Sequence, residues 1–148
     1  MANKLLRSSV GWAGREEATL TVELTVDENI VKAQLHGIGG PEFLQALCAL
    51  RSQLVGDWNK VKLPLGATFS AILLRELLLK ARGEWNFPYT EDETCHCRVV
   101  PTEIVDQAIC LGAHTPAKVS AMTSASTACG SCRPDVEAMI RYRLGRAG

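Results

Sequence analysis

The chain has 148 residues, with 16 basic and 16 acidic side chains and therefore a formal net charge of zero. Without an excess of either charge, it has no overall attraction to nucleic acid or to an acidic membrane. Only 5% of the residues are aromatic, which makes a base-stacking platform unexpected. We therefore expect neither nucleic acid nor a membrane among its partners. The length accommodates one domain or two very small ones.

The first half begins with a predicted β-hairpin. Residues 19–26 alternate strictly, with Leu20, Val22, Leu24 and Val26 on one face and polar side chains on the other. Residues 27–29, "DEN", supply a turn, and residues 30–37 alternate again, with Val31, Ala33 and Leu35 on one face. One polar face is typical of an antiparallel sheet that is covered on one side only.

Two helices are predicted after the hairpin. Pro41 suits the first turn of a helix, whose apolar stripe contains Phe43 and Leu47 and which Gly56 ends. Residues 67–83, "ATFSAILLRELLLKARG", predict a second helix that ends at Gly83. The first half is therefore predicted to be α+β, with helices packed on one face of an antiparallel sheet.

The second half is predicted to be a small all-helical domain. Residues 87–94, with a proline and an acidic run, predict a linker. Short helices are predicted from 101–102 to 112, from Thr115 and Pro116 through Met122, and from Arg133 onward. Val105, Ile109 and Ile104 are among the positions expected to be buried. A core of about fifty residues is thin, and domains of this size often need a metal to be stable.

Four cysteines stand in two close pairs, Cys95-x-Cys97 and Cys129-x-x-Cys132. Each pair lies just before a predicted helix start, where N–H groups lack partners and the helix dipole is positive. The small residues around Cys129 allow backbone amides to approach the sulfurs. Four thiolates suit either a zinc ion or an iron–sulfur cluster. Cys-x-Cys fits the usual zinc spacing poorly, but the standard ferredoxin spacings are absent too, so both alternatives remain open.

The other candidate ligands are weaker. His96 lies between two of the cysteines, but with four thiols present we do not expect it to bind metal. Cys48 and Cys110 lie within predicted helices and are expected to be packed in the core. Since Lys4 and Arg7 interrupt the apolar stretch near the start, no secretory signal is predicted. We expect a cytoplasmic protein, where six cysteines indicate metal binding or thiol chemistry rather than disulfides.

Residues 95–144 resemble the bacterioferritin-associated-ferredoxin-like [2Fe-2S] domain. The resemblance rests on Cys-x-Cys, a helical insert, the motif "ACGSCRP" and an intervening run that includes Ile104, Gly112 and Thr115. It implies that four residues hold one [2Fe-2S] cluster near the surface and bind its iron: Cys95, Cys97, Cys129 and Cys132.

The first half is similar to the scaffold domain of NifU and IscU proteins, and a Cys-x-Cys [2Fe-2S] domain follows that scaffold in NifU. The three scaffold cysteines are missing, since they would fall near residues 13–15, at Ile38 and near Ser70. We carry over the fold of this half and not cluster building. The predicted domains are a NifU/IscU-like domain over 15–86, the linker 87–94, and a BFD-like [2Fe-2S] domain over 95–146.

The resulting functional expectation is a one-electron carrier in iron or iron–sulfur metabolism, with a redox or iron–sulfur assembly protein as its partner. The alternative is an accessory or cluster-transfer protein in iron–sulfur cluster assembly. A second alternative is an interaction protein stapled by zinc or a cluster. The sequence shows no carboxylate pair, no nucleophile with a base and no phosphate-binding loop, so we do not expect an enzyme. It does not indicate the oligomeric state.

Overall fold

A computed structural model of the protein describes residues 2–12 and 14–145. Within these residues the chain forms five β-strands and five α-helices. In chain order they are β1 (Lys4–Gly11), β2 (Glu17–Leu24), β3 (Ile30–Ile38), α1 (Pro41–Arg51), α2 (Phe69–Ala81), β4 (Glu93–Cys95), β5 (Val100–Pro101), α3 (Thr102–Cys110), α4 (Pro116–Thr123) and α5 (Arg133–Arg143), with a 3-10 helix at Trp58–Lys60. The chain divides into two compact units. The first comprises Met1–Leu65 with Ser70–Trp85, and the second comprises Gly66–Phe69 with Asn86–Gly148.

The first unit contains a three-stranded antiparallel sheet in the order β1-β2-β3. The predicted hairpin is confirmed as β2 and β3, which pair from Glu17 opposite Ile38 to Leu24 opposite Ile30. Strand β1 was not predicted, because Arg7, Ser8 and Ser9 interrupt its apolar pattern. The buried Ser8 is accommodated because its hydroxyl donates to the carbonyl of Leu77, 2.9 Å away.

The predicted alternation is confirmed by burial as far as Leu24, where β2 ends, but it was wrong for Val26, which lies beyond the strand and is 57% exposed. Ala18, Leu20, Val22 and Leu24 are buried, and each intervening side chain is only half-buried. The prediction for β3 is partly wrong, because Leu35 is buried but Val31 is exposed. The register of β3 shifts opposite Glu23 and Leu24 and leaves Val31 out of the pairing.

The two helices of the first unit differ in how much of their surface they bury. Helix α1 begins at Pro41, as predicted, and buries one stripe formed by Phe43, Leu47 and Leu50. It ends at Arg51 rather than at Gly56, and irregular turns follow. Helix α2 is buried almost all round, which is typical of an interior helix. None of the helices in the described part of the chain is long and apolar enough to cross a membrane.

The second unit packs three helices and a small sheet around one core. An all-helical unit is not confirmed, because β4 and β5 pair antiparallel. Val105 and Ile109 are buried as predicted, but Ile104 is exposed. The core comprises Cys95, Val100, Val105, Ala108, Ile109, Ala113, Val119, Ala125, Cys132, Val136, Met139 and Ile140, with Phe87, Tyr89 and Leu144 packed against it.

The helices in this unit begin where the sequence predicts. Thr115 caps α4 by accepting the N–H of Lys118 at 3.2 Å, and Pro116 occupies the first turn. Helix α5 begins at Arg133.

The segment predicted as a linker, 87–94, contributes Phe87 and Tyr89 to the packing described above, and the Tyr89 hydroxyl donates to the carbonyl of Glu93 at 2.8 Å. Position 146, the predicted end of the second domain, lies outside the described residues.

Candidate metal centre

Two loops of the second unit carry the four paired cysteines. Strand β4 ends at Cys95, and Cys97 lies in the turn that leads to β5. Cys129 lies in the loop between α4 and α5, and Cys132 is the residue that precedes α5. Cys95 and Cys132 are buried in the core, at 1% and 6% exposure, whereas Cys97 and Cys129 are exposed. Each loop therefore contributes one buried and one exposed thiol.

The sulfurs approach one another across the two loops. Cys97 Sγ lies 3.3 Å from Cys129 Sγ, although 32 residues separate them in the chain. Cys95 Sγ lies 3.7 Å from Cys97 Sγ. The thiols of Cys95 and Cys132 also interact. Two thiolates held tetrahedrally by one metal at about 2.3 Å are about 3.8 Å apart, so neighbouring sulfurs already lie close to ligand spacing.

Three of the four non-glycine residues with positive φ in the described part of the chain lie in the same two loops. Val99 has φ +52°, Ser124 +69°, Ser126 +62° and Gly130 +72°. This region disfavours side chains with a Cβ, above all a β-branched one such as Val99. The tight turns direct the N–H groups of Arg98 and Ser126 to the sulfur of Cys95. Strain of this kind is characteristic of sites that must hold a fixed geometry.

The pKa values of the two buried thiols move in opposite directions. Burial raises the pKa of the Cys95 thiol, but hydrogen bonds from the N–H groups of Ser126 and Arg98 outweigh burial, and this pKa is lowered. Burial raises the pKa of the Cys132 thiol, the Ser126 hydroxyl opposes this effect, and the Cys95 sulfur adds to it. In the metal-free chain, therefore, Cys95 loses its proton at a lower pH than Cys132.

The exposed pair shows the same division. The hydroxyl and the N–H of Ser131 and the thiol of Cys97 all favour the Cys129 thiolate, and its pKa is lowered to about 7. The N–H of Cys129 favours the Cys97 thiolate, but hydrogen bonds to the sulfurs of Cys129 and Cys95 raise its pKa. Cys129 therefore loses its proton at a lower pH than Cys97.

Two serine hydroxyls that the sequence did not single out as donors contact the sulfurs. Ser126 Oγ lies 2.8 Å from Cys132 Sγ, and Ser131 Oγ lies 3.0 Å from Cys129 Sγ. Ser131 was expected only to be small enough for backbone amides to approach the sulfurs. Its own N–H does form such a hydrogen bond, to the sulfur of Cys129. A serine inside or just before a Cys-x-x-Cys motif is the only sequence signal for these contacts, and it is too common to be specific.

The comparison with known families identifies the cofactor. Residues 94–141 match the model of the BFD-like [2Fe-2S] binding domain. The cofactor is a [2Fe-2S] cluster. The chain is thus an iron–sulfur cluster-binding protein, and the zinc alternative is set aside. No curated protein matches the chain, and no solved structure matches it.

The donor set of the second unit fits a [2Fe-2S] cluster. Such a cluster takes four cysteine thiolates, two for each iron, and its charge is offset by hydrogen bonds to the sulfurs. The two loops provide four thiols in contacting pairs, together with N–H and hydroxyl donors directed at them. In residues 2–12 and 14–145, no group of three His, Cys, Asp or Glu side chains lies close enough together to hold a single metal ion. The sulfurs approach in pairs instead, in the order Cys129, Cys97, Cys95, Cys132.

The structure brings together the four cysteines that the sequence analysis selected, and their assignment as ligands stays a prediction. His96 is turned to carboxylates rather than to the sulfurs. Its Nδ1 lies 2.8 Å from Glu93 Oε1, and its Nε2 lies 3.7 Å from Glu91 Oε2. The ring and the acidic residues before it therefore form a small polar cluster beside Cys97 at the surface.

The two remaining cysteines lie apart from this site in the chain, and one of them was predicted incorrectly. Cys110 is buried, as expected. Cys48 was expected to be buried but is exposed, because it follows the buried Leu47 by one residue and so lies about 100° round the helix.

The first unit has no thiols at the three scaffold positions. Ile38 ends β3 opposite Glu17, and Ser70 lies in the first turn of α2. The third position spans residues 13–15, of which residue 13 lies outside the described residues. A groove of about 580 Å³ lies beside Ile38, and its lining includes Glu17, Glu76 and Lys80 but, among the described residues, no cysteine. The NifU/IscU resemblance of this unit stays a prediction.

Proposed function

We propose that the protein is a one-electron carrier in iron or iron–sulfur metabolism. A [2Fe-2S] cluster supplies one-electron chemistry, while the polypeptide sets its access, charge and potential. The observation that supports this role is the uneven burial of the four thiols. Cys95 and Cys132 belong to the core, while Cys97 and Cys129 are exposed. One side of the cluster would thus be anchored and the other accessible to a protein partner.

The electron-carrier role predicts that the cluster survives repeated redox cycles. Full-length protein purified without oxygen is reduced with dithionite and reoxidised with ferricyanide, while its visible absorption and electron paramagnetic resonance (EPR) signal are followed. We expect uptake of one electron per cluster and recovery of the oxidised spectrum over several cycles. Loss of iron and sulfide in the first cycle would overturn the role.

A second candidate function is cluster transfer during iron–sulfur cluster assembly. The exposure of Cys97 and Cys129 favours it too, since an acceptor's thiolates need access to the iron. In this role the first unit, which resembles the NifU and IscU scaffold, would dock the assembly machinery without building a cluster itself.

A transfer assay separates the two functions. The cluster-loaded protein is mixed with an apo-ferredoxin, and the iron and sulfide on each protein are measured after separation. Retention of the cluster during repeated redox cycles supports electron carriage, whereas its movement to the ferredoxin supports transfer.

Neither role requires catalysis by side chains. We propose that the protein is not an enzyme, that it acts in the cytoplasm and that its partner is another redox or assembly protein. Proteomic identification of proteins crosslinked to the full-length chain, with and without the cluster, tests the last point. A partner that binds only the loaded form supports it, and exclusive recovery of nucleic-acid-binding proteins contradicts it.

A further inference from the structure

We propose that Ser126 sets the reduction potential of the [2Fe-2S] cluster by donating hydrogen bonds to the buried sulfurs of Cys132 and Cys95. The inference rests on the cofactor and on the four cysteines as its ligands. It does not require that electron carriage be the biological role, because a potential is measured with chemical mediators.

Ser126 contacts both buried thiols at once. Its Oγ lies 2.8 Å from Cys132 Sγ, and its peptide N–H is directed at the sulfurs of both Cys132 and Cys95. The left-handed conformation at φ +62° places the hydroxyl and the N–H on the same side as these sulfurs. Since Cys95 is the last residue of β4 and Cys132 precedes α5, Ser126 joins the two loops that carry the ligands on their inner side.

The direction of the hydroxyl bond follows from the state of the ligand. In the metal-free chain either the serine or the cysteine can donate, but a cysteine bound to iron has lost its proton. Ser126 must then donate to Cys132. Such a bond reduces the negative charge on the sulfur, and its effect increases in a buried site of low dielectric.

Reduction adds one electron to the cluster and one negative charge to the site. Hydrogen bonds to the sulfurs stabilise the more negative state more strongly than the oxidised state, and therefore raise the reduction potential. Removal of the Ser126 hydroxyl should lower the potential, because water has little access to Cys132, a residue that is 6% exposed.

Ser131 provides an internal comparison. Its Oγ lies 3.0 Å from Cys129 Sγ, so it forms a similar bond, but this sulfur belongs to an exposed residue. Water can replace the lost hydroxyl there. The same chemical change, serine to alanine, should therefore have a smaller effect at Ser131 than at Ser126.

The test measures the potential of Ser126→Ala and Ser131→Ala in full-length, cluster-loaded protein by a mediated EPR titration. Ser124→Ala is the matched control. Ser124 lies in the same loop and is also left-handed, at φ +69°, but its hydroxyl makes no contact with a sulfur in the described structure. We expect Ser126→Ala to favour the oxidised form by about tenfold, a decrease of about 59 mV for one electron. Ser131→Ala should shift less, and Ser124→Ala should not shift.

Iron and sulfide analysis shows whether each variant still holds its cluster, so that a change in potential is not confused with a folding defect. Ser126→Gly removes the same hydroxyl but adopts the left-handed conformation without strain. A lower potential in both Ser126 variants, with full cluster content, supports the proposal. An unchanged potential overturns it. Loss of the cluster from both variants, but not from Ser124→Ala, also overturns it, since Ser126 would then be required for cluster retention rather than for tuning.

Discussion

Arg143 donates from Nε and Nη2 to the two carboxylate oxygens of Asp106, at 2.7 and 2.6 Å. This bidentate pair joins α5 to α3, the helices that follow the two loops with the paired cysteines. The Arg143 side chain is only 4% exposed and that of Asp106 17%, so the pair is well shielded from water. The guanidinium also lies 5.4 Å from the centre of the Phe87 ring. The pair therefore holds together the two helices that position the cysteines.

Arg143→Met should destabilise the second unit strongly. Removal of the guanidinium leaves the Asp106 carboxylate without its partner in a shielded position, and breaking a buried pair in this way costs about 3 kcal/mol. Urea denaturation of the cluster-loaded protein, followed by circular dichroism, measures the loss. The matched control is Arg133→Met, which breaks an exposed pair with Glu137 and should cost less than about 1 kcal/mol. Equal losses in the two variants would contradict the expectation.

The sequence predicts those elements whose pattern is long and regular. The alternation of Leu20, Val22 and Leu24 predicts β2 because seven or eight residues are enough to show a period of two. Pro41 and the pair Thr115–Pro116 mark helix starts because their effect is local. In each case the physical cause lies within a few neighbouring residues.

The elements that were missed depend on distant parts of the chain. Strands β4 and β5 contain three and two residues, too few to show alternation, and they form only because they pair with each other. Ser8 breaks the pattern of β1, and the carbonyl that accepts its hydroxyl is 69 residues away. No local reading of the sequence can supply such a partner.

The candidate site shows the same limit. The spacing of the cysteines predicts two pairs, but not that Cys97 and Cys129 approach across the loops. Cys48 differs, because its position one residue after the apolar stripe of α1 is a local feature that helical spacing could have used. The role of Ser126 depends on a left-handed backbone, which serine rarely adopts and which the sequence does not indicate.

Cys132→Ser should greatly reduce the cluster content of the protein. An alkoxide is a harder ligand than a thiolate and therefore suits the iron of a cluster less well. We expect at least a tenfold decrease in iron and sulfide per chain after anaerobic purification. Cys48→Ser serves as the control because it changes an exposed thiol in α1 of the first unit, and it should leave the visible spectrum unchanged. A full cluster in Cys132→Ser would remove this residue from the ligand set.

Gly37→Ala should destabilise the first unit. A Cβ at this position would lie 2.7 Å from the carbonyl oxygen of Glu17 in β2 and 2.5 Å from Leu47 Cδ1 in α1. Leu47 can move, but the paired strand cannot move without loss of ladder hydrogen bonds, so we expect a cost of about 1–3 kcal/mol. Gly40→Ala is the matched control, since its Cβ would meet nothing within 4 Å. Urea denaturation of both variants gives the comparison, and equal stability would show that the sheet adjusts freely.

The metal-free protein should be alkylated at Cys129 before Cys97, although the two sulfurs are 3.3 Å apart and both residues are exposed. The Ser131 hydroxyl and N–H lower the pKa of Cys129 to about 7, whereas contacts with the neighbouring sulfurs raise that of Cys97. Only the thiolate reacts, so half of Cys129 is reactive near pH 7, and its rate should rise steeply between pH 6 and 8. Cys97 should respond only at higher pH. Iodoacetamide pulses at each pH, followed by peptide mass spectrometry, measure both rates in one sample. Ser131→Ala should shift the Cys129 profile to higher pH. Alkylation of Cys97 before Cys129 in the protein without substitutions would contradict the prediction.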